Sequence, residues 1–197
     1  MYILGITGNI GSGKTTVSDR FSTLGAAVSH SDDLAKDILQ NTSSILEQLR
    51  KRFGSDILDS SGKLQNHILA ERAFSTIAGQ QFLNDSIHPE VRKATLSKIE
   101  TAKKEGYSLF VIDAPLLFEA GVDQIADSVL VVAADREHRK QRVEIRSQIQ
   151  SADFARRDNL QLSIDEKLKR ADHIIYNNGS LDNLFEKVDE LYRELTL

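Results

Sequence analysis

The chain is expected to adopt an α/β fold, with a five-stranded parallel sheet flanked by helices and a helical lobe inserted after the second strand. Three observations carry this expectation. Four apolar runs, residues 2–7, 26–31, 107–113 and 128–134, are continuous rather than alternating, as strands covered on both faces must be, and 173–176 adds a fifth, shorter run. Helical patterns lie between the runs, and a βαβα order implies parallel strands joined by crossovers. Finally, Gly8-Asn9-Ile10-Gly11-Ser12-Gly13-Lys14-Thr15 follows the first run directly and fits G-x-x-x-x-G-K-[ST] at every fixed position.

A strand feeding a glycine-rich turn that opens a helix, here over 15–24, aims consecutive backbone N–H groups and the positive helix end at one point. Such a point suits a phosphate. Lys14 would reach the β- and γ-phosphates of a nucleotide, and the Thr15 hydroxyl would enter the coordination shell of Mg²⁺. The second strand leads to Asp32 at the carboxyl edge of the sheet, where open α/β sheets bind ligands, so Asp32 is expected to face the loop. As a carboxylate there it could accept a hydroxyl proton or hold a water on Mg²⁺. Ser31, Asp32 and Asp33 are equally good caps for a helix through Leu34-Ala35-Lys36, and local sequence leaves both roles open.

Residues 34–106 are too many for one crossover helix and read as several helices, with a turn at Asp59-Ser60-Ser61-Gly62. Within them, His88-Pro89-Glu90-Val91-Arg92 reads as a helix start with Pro89 at the first helical position. Leu109-Phe110-Val111-Ile112-Asp113 is an apolar strand ending in an acid, the form of a Walker-B segment that supports Mg²⁺ through water; a turn acid before Ala114-Pro115 is the other reading. After the fourth strand, Arg139, Arg142 and Arg146 recur at three- and four-residue spacing and share a helix face, with Arg156 and Arg157 beyond. Any one of them could be a solvated helix arginine paired with Asp135 or Glu144. Together with the loop they favour a lid over 136–160 that closes on a polyphosphate. Asn177-Asn178-Gly179-Ser180 predicts a strand-to-helix turn with Gly179 at positive φ and Ser180 capping the last helix, 181–195.

At 197 residues the chain is long enough for one domain carrying an insertion. Its net charge of −4 gives no general attraction to nucleic acid or anionic membrane, and no apolar run approaches a membrane span, so a cytoplasmic protein is expected. With no cysteine, disulfides and thiolate chemistry are excluded. No histidine–acid spacing suggests zinc, and no Gly-x-Ser-x-Gly elbow is present.

The chain resembles the dephospho-coenzyme A kinase family nearly end to end. The resemblance rests on residues 7–14, Asp32 with Leu34-Ala35-Lys36, Phe53-Gly54, Gly62-x-Leu64, His88-Pro89-x-x-Arg92, Pro115-Leu116-Leu117-Phe118-Glu119, Gln161, and Ala171-Asp172-His173-Ile174-Ile175-x-Asn177-Asn178-Gly179. It implies a P-loop kinase core with an acceptor lobe and a lid, and ATP-dependent phosphorylation of the ribose 3′-hydroxyl of dephospho-coenzyme A. By the same resemblance, Asp32 is the base, assisted by Lys14 and Arg142. ATP would be held by Asn9, Ile10, Gly11, Ser12, Gly13, Lys14, Thr15, Thr16, Arg142, Arg146 and Asn177, the last near the adenine. The acceptor would meet Asp32, His88, Arg92, Leu116 and Glu119, and Mg²⁺ would meet Thr15 and Asp113. No protein partner is implied.

Two positions depart from the family pattern. His30 stands where Asp-x-Asp usually begins, which moves any metal role of that acid toward Asp113, and Asn66 replaces an arginine usual after Gly-x-Leu-x. The rival readings are another small-molecule or nucleotide kinase on this core and a nucleotide-dependent regulatory module. A guanine-reading Asn-Lys-x-Asp is absent, and Asp113-Ala114-Pro115-Leu116 lacks the glycine of a switch segment.

Overall fold

The structure, a computed structural model, describes residues 1–147 and 151–197. Strands β1 (Tyr2–Thr7), β2 (Ala27–His30), β3 (Leu109–Asp113), β4 (Ser128–Ala133) and β5 (His173–Tyr176) form one parallel sheet in the order β2-β3-β1-β4-β5. Each strand falls inside an expected apolar run, and β5 matches its run at both ends.

Side chains alternate across a strand, and both faces of this sheet are covered. Leu4, Ile6, Leu109, Val111, Leu130 and Val132 pack with Val17 and Phe21 of α1 (Lys14–Thr23) and with Leu184, Val188 and Leu191 of α9 (Leu181–Thr196). Phe110, Ile112, Val129 and Val131 pack on the opposite face with Ile99 and Ala102 of α5 (Ile77–Lys104). Neither set can be polar, hence the continuous runs; each fully buried aliphatic contributes about 1.5–3 kcal/mol. Helices α6 (Arg136–Ser147), α7 (Ser151–Asn159) and α8 (Ile164–Lys169) follow β4.

The register sets Ile6 beside Asp113, and Asp113 beside His30, so the carboxyl ends of β1, β3 and β2 are level. Because β3 and β4 flank β1 on opposite sides, the chain parts at that edge, the kind of crevice where open sheets take ligands.

The chain divides into two compact units, Met1–His30 with Lys98–Leu197, and Ser31–Ser97. The second unit contains α2 (Ser31–Asn41), α3 (Ser43–Phe53), α4 (Asn66–Ala73) and the first part of α5. Its own core joins Leu34, Ile38, Leu49, Phe53, Ile57, Leu69, Leu83, Ile87 and Val91. The expected turn is present: Asp59 Oδ1 accepts the N–H groups of Ser61 at 2.8 Å and Lys63 at 3.0 Å, and Gly62 takes φ +83°.

Two local expectations are corrected. Pro89 does not start a helix but lies inside α5. Leu83, Ile87 and Val91 recur every four residues on both sides of it, and their burial carries the helix past a residue that costs about 3 kcal/mol in a helix interior. Gly179 does not take positive φ. The turn is held by polar contacts instead, with Asn178 Oδ1 accepting the Asp135 N–H at 2.9 Å and the Asn177 N–H donating to Ala133 O at 2.8 Å. Ser180 does cap α9, its Oγ accepting the Asn183 N–H at 3.2 Å. No described helix is long and apolar enough to cross a membrane.

Candidate active site

Gly13 caps α1 from the left-handed region, at φ 97° and ψ 19°, with no side-chain cap and no acid in the first turn. The leading N–H groups of α1 and its positive dipole end are therefore left for an anion. A Cβ at Gly13 would stand 2.3 Å from Asn177 Nδ2, so both backbone conformation and space require glycine there. Lys14 opens the helix, followed by exposed Thr15 and half-buried Thr16.

Beside this loop lies Asp113, 5% exposed. Its Oδ2 accepts from Ser18 Oγ at 2.9 Å and lies 3.1 Å from His30 Nδ1. Its Oδ1 stands 3.5 Å from Lys14 Nζ and is buried without a hydrogen-bond partner among the described residues. His30 thus grips one oxygen of Asp113, and its Nε2 reaches to 3.9 Å from Asp19 Oδ1.

The arginines of α6 separate. Arg142 Nη2 donates to Asn177 O at 2.9 Å and lies 3.4 Å from Asn177 Oδ1, while its Nη1 is buried with no hydrogen-bond partner among the described residues. Asn177, itself buried, donates from Nδ2 to Ser12 O at 2.8 Å, so Arg142 and Asn177 together brace the loop. Arg139 corrects the idea of a common phosphate-facing stripe. At roughly 60° from Arg142 around the helix, it is only 5% exposed and forms a fork with Asp158, at 2.6 and 3.2 Å. The side chains of Arg146 and Arg157 lie outside the described residues.

Asn9 and Ile10 at the loop apex meet α7 and the chain after it. Asn9 Nδ2 donates to Asp158 Oδ1 at 3.3 Å and to Leu162 O at 3.2 Å, and the Ile10 N–H donates to Gln161 Oε1 at 2.9 Å. A Cβ at Gly11 would fall 2.5 Å from Arg139 O.

One residue escaped the sequence reading. Lys167 is fully buried, its Nζ donating to Pro115 O at 2.8 Å and standing 3.7 Å from Glu119 Oε1. Burial lowers its pKa from the ordinary 10.5; the charge of Glu119 opposes this and that of Lys14 adds to it. A lysine among the charges of Ile164–Lys169 reads as solvated, and no local signal could have shown otherwise. Glu119 Oε1 also accepts the Leu162 N–H at 2.8 Å, and half-buried Leu116 turns its carbonyl to the Ala120 N–H.

In the second unit, Asp32 is the exposed second residue of α2 rather than a strand end, because Ser31 already begins the helix. Asp32 and Asp33 are accordingly first-turn acids, favourable to the helix dipole, rather than caps. His88 and Arg92 are half-buried and lie about one turn apart on α5.

The dephospho-CoA kinase family model matches residues 2–183. A dephospho-CoA kinase of Syntrophotalea carbinolica is 39% identical over 99% of this chain and 92% of its own length. The TT1252 protein of Thermus thermophilus superposes with a TM-score of 0.85 at 33% identity, covering 100% of this chain and 98% of that one. A dephospho-CoA kinase from Campylobacter jejuni gives a TM-score of 0.74 at 27% identity, over 98% and 96% of the two chains. With the phosphate loop intact and the match running nearly end to end, the chain belongs to the dephospho-CoA kinase family.

Proposed function

We propose that this enzyme transfers the γ-phosphoryl group of ATP to the ribose 3′-hydroxyl of dephospho-coenzyme A, giving coenzyme A and ADP, the final step of coenzyme A biosynthesis. The observation that carries this reading is an α1 N-terminus without a side-chain cap, with Lys14 beside Asp113, inside a chain matched to the family over residues 2–183.

Catalysis by such a site is positioning and charge neutralisation. The loop N–H groups and Lys14 hold the γ-phosphate and meet the charge that develops on it. Arg142, whose Nη1 has no hydrogen-bond partner among the described residues, supplies a further donor. Asp32 accepts the proton of the attacking hydroxyl, a role open to an exposed carboxylate. His88 and Arg92 bind the acceptor, and Leu116 and Glu119 belong to the same acceptor set. Asn177 serves the nucleotide by bracing Ser12 and Arg142.

Among the described residues no cluster of three or more His, Cys, Asp or Glu could hold a metal by itself. That suits Mg²⁺ carried in with ATP, which takes most of its ligands from phosphate and water. Asp113 Oδ1, which has no hydrogen-bond partner among the described residues, and exposed Thr15 fit it as oxygen donors, with Asp113 acting through water. Bound there, the ion neutralises β- and γ-phosphate charge. Both substrates are water-soluble, which fits a cytoplasmic enzyme.

A coupled assay of ADP release with ATP, Mg²⁺ and a panel of acceptors tests the proposal. Turnover is expected with dephospho-coenzyme A, with the phosphate found on the 3′-oxygen. Turnover of another acceptor in its place, or a stable ATP-bound state with none, overturns it.

A further inference from the structure

The Asn9–Ile10 segment of the phosphate loop is held by side chains that the proposed reaction does not use. Ile10 is gripped on both sides: its N–H donates to Gln161 Oε1 at 2.9 Å, and its carbonyl accepts from Arg139 Nη1 at 3.2 Å. The same Nη1 donates to Asp158 Oδ1 at 2.6 Å, and that oxygen also accepts from Asn9 Nδ2. Arg139 Nε is spent on Ala134 O at 3.2 Å, and its guanidinium stands 5.6 Å from the centre of the Phe154 ring. Every element of this network belongs to the unit that carries the loop.

A buried guanidinium is stable only with its charge paired and its donors satisfied. Here the planar fork faces a carboxylate while one of its nitrogens also reaches a loop carbonyl, an arrangement the point charge of lysine cannot reproduce. Gly11 lets the α6 backbone close directly against the loop. The direction of the loop N–H groups therefore depends on α6 and α7 being seated.

We propose that Arg139 is a positioning residue which, through Asp158, fixes the Asn9–Ile10 peptide and so sets the affinity of the phosphate loop for ATP. This rests on the nucleotide-binding reading of the loop and is independent of which acceptor is phosphorylated. Phosphate-loop donors act on the nucleotide only when correctly aimed, and small misplacements of positioning groups are costly. Arg139 itself need not touch the nucleotide.

The test is equilibrium binding of ATP with Mg²⁺ by titration calorimetry, without acceptor, on wild type, Arg139→Lys, Asp158→Asn and Asp189→Asn. Asp189 is the control: it pairs with Arg20 at 2.7 and 2.6 Å, a comparable fork between α1 and α9 that does not touch Asn9 or Ile10. Asp158→Asn keeps shape and an acceptor oxygen, so it carries the test even if the Arg139 variant does not fold. The dissociation constant for ATP is expected to rise on the order of tenfold in Arg139→Lys and Asp158→Asn, as loss of a charge-assisted hydrogen bond implies. In Asp189→Asn it should stay within about twofold while the melting temperature falls. In steady state the first two variants should raise KM for ATP and leave KM for the acceptor within about twofold.

If Arg139→Lys and Asp158→Asn bind ATP like wild type, or no worse than Asp189→Asn, the pair is merely structural and the proposal is overturned. A wild-type chain that binds ATP but does not phosphorylate dephospho-coenzyme A would refute the proposed function while this comparison still stands.

Discussion

Lys14 opens a helix with its charge 3.5 Å from a buried carboxylate, so its loss should be felt in chemistry before folding. Lys14→Ala is expected to abolish phosphoryl transfer while circular dichroism and melting temperature stay near wild type; wild-type-like turnover would refute the loop's role. At Asp32 the isosteric change separates base from structural acid. Asp32→Asn should lower kcat on the order of 10²–10⁴-fold, yet hardly move stability, because the side chain is exposed in the first turn of α2. Near-normal kcat would leave only the helix role. Arg142→Lys should impair both kcat and ATP affinity, since lysine loses the planar group that donates from Nη2 to Asn177 while keeping Nη1 for the nucleotide. Arg136, exposed at the start of α6 with its guanidinium 5.7 Å from the Phe154 ring centre, should tolerate the same change. Like behaviour of the two variants in steady-state kinetics would dismiss the catalytic role of Arg142.

The helix that closes the chain shows how capping and burial divide the work of one element. In α9, Ser180 satisfies the Asn183 N–H, while Leu184, Val188 and Leu191 are buried against the sheet. Ser180→Ala is expected to cost about 1 kcal/mol, the usual value of such a cap. Leu184→Ala, which opens a cavity beside β-sheet side chains, should cost about 2–5 kcal/mol. Urea denaturation of the two variants checks both, and equal losses would contradict the assignment of α9 stability chiefly to packing.

Lys167 links the folding of the whole molecule to pH. Buried among Thr7, Pro115 and Glu119, it has its pKa lowered by desolvation, against the pull of Glu119. Between the lowered value and the ordinary 10.5 the unfolded chain binds more protons than the folded one, so unfolding free energy from this group rises with pH across that window. Below the window the cost of burying the charge is present in full. The stability of wild type relative to Lys167→Met should therefore increase as pH is raised toward 10.5, a difference that cancels other titrating groups. Parallel stability–pH curves for the two proteins would show that Lys167 does not titrate this way.

How far the chain could be read in advance follows from where each contact partner lies. The strands, the phosphate loop and α9 were legible because their causes are local. Double-sided burial leaves uninterrupted apolar runs, and Gly13 with Lys14 needs only the adjoining strand and helix to shape an anion site. The sequence alone also placed Asp113 at a strand end and Ser180 at a helix start. It could not say that Arg139 is buried while Arg142 keeps a donor over, since that turns on Asp158 and Asn177, far along the chain. Nor could it place Lys167 beneath Pro115, carry α5 through Pro89, or form the turn at Gly179 without positive φ. In each of these the local preference of a residue was overruled by burial or by hydrogen bonds made across the fold, and those energies exist only once the elements are packed together.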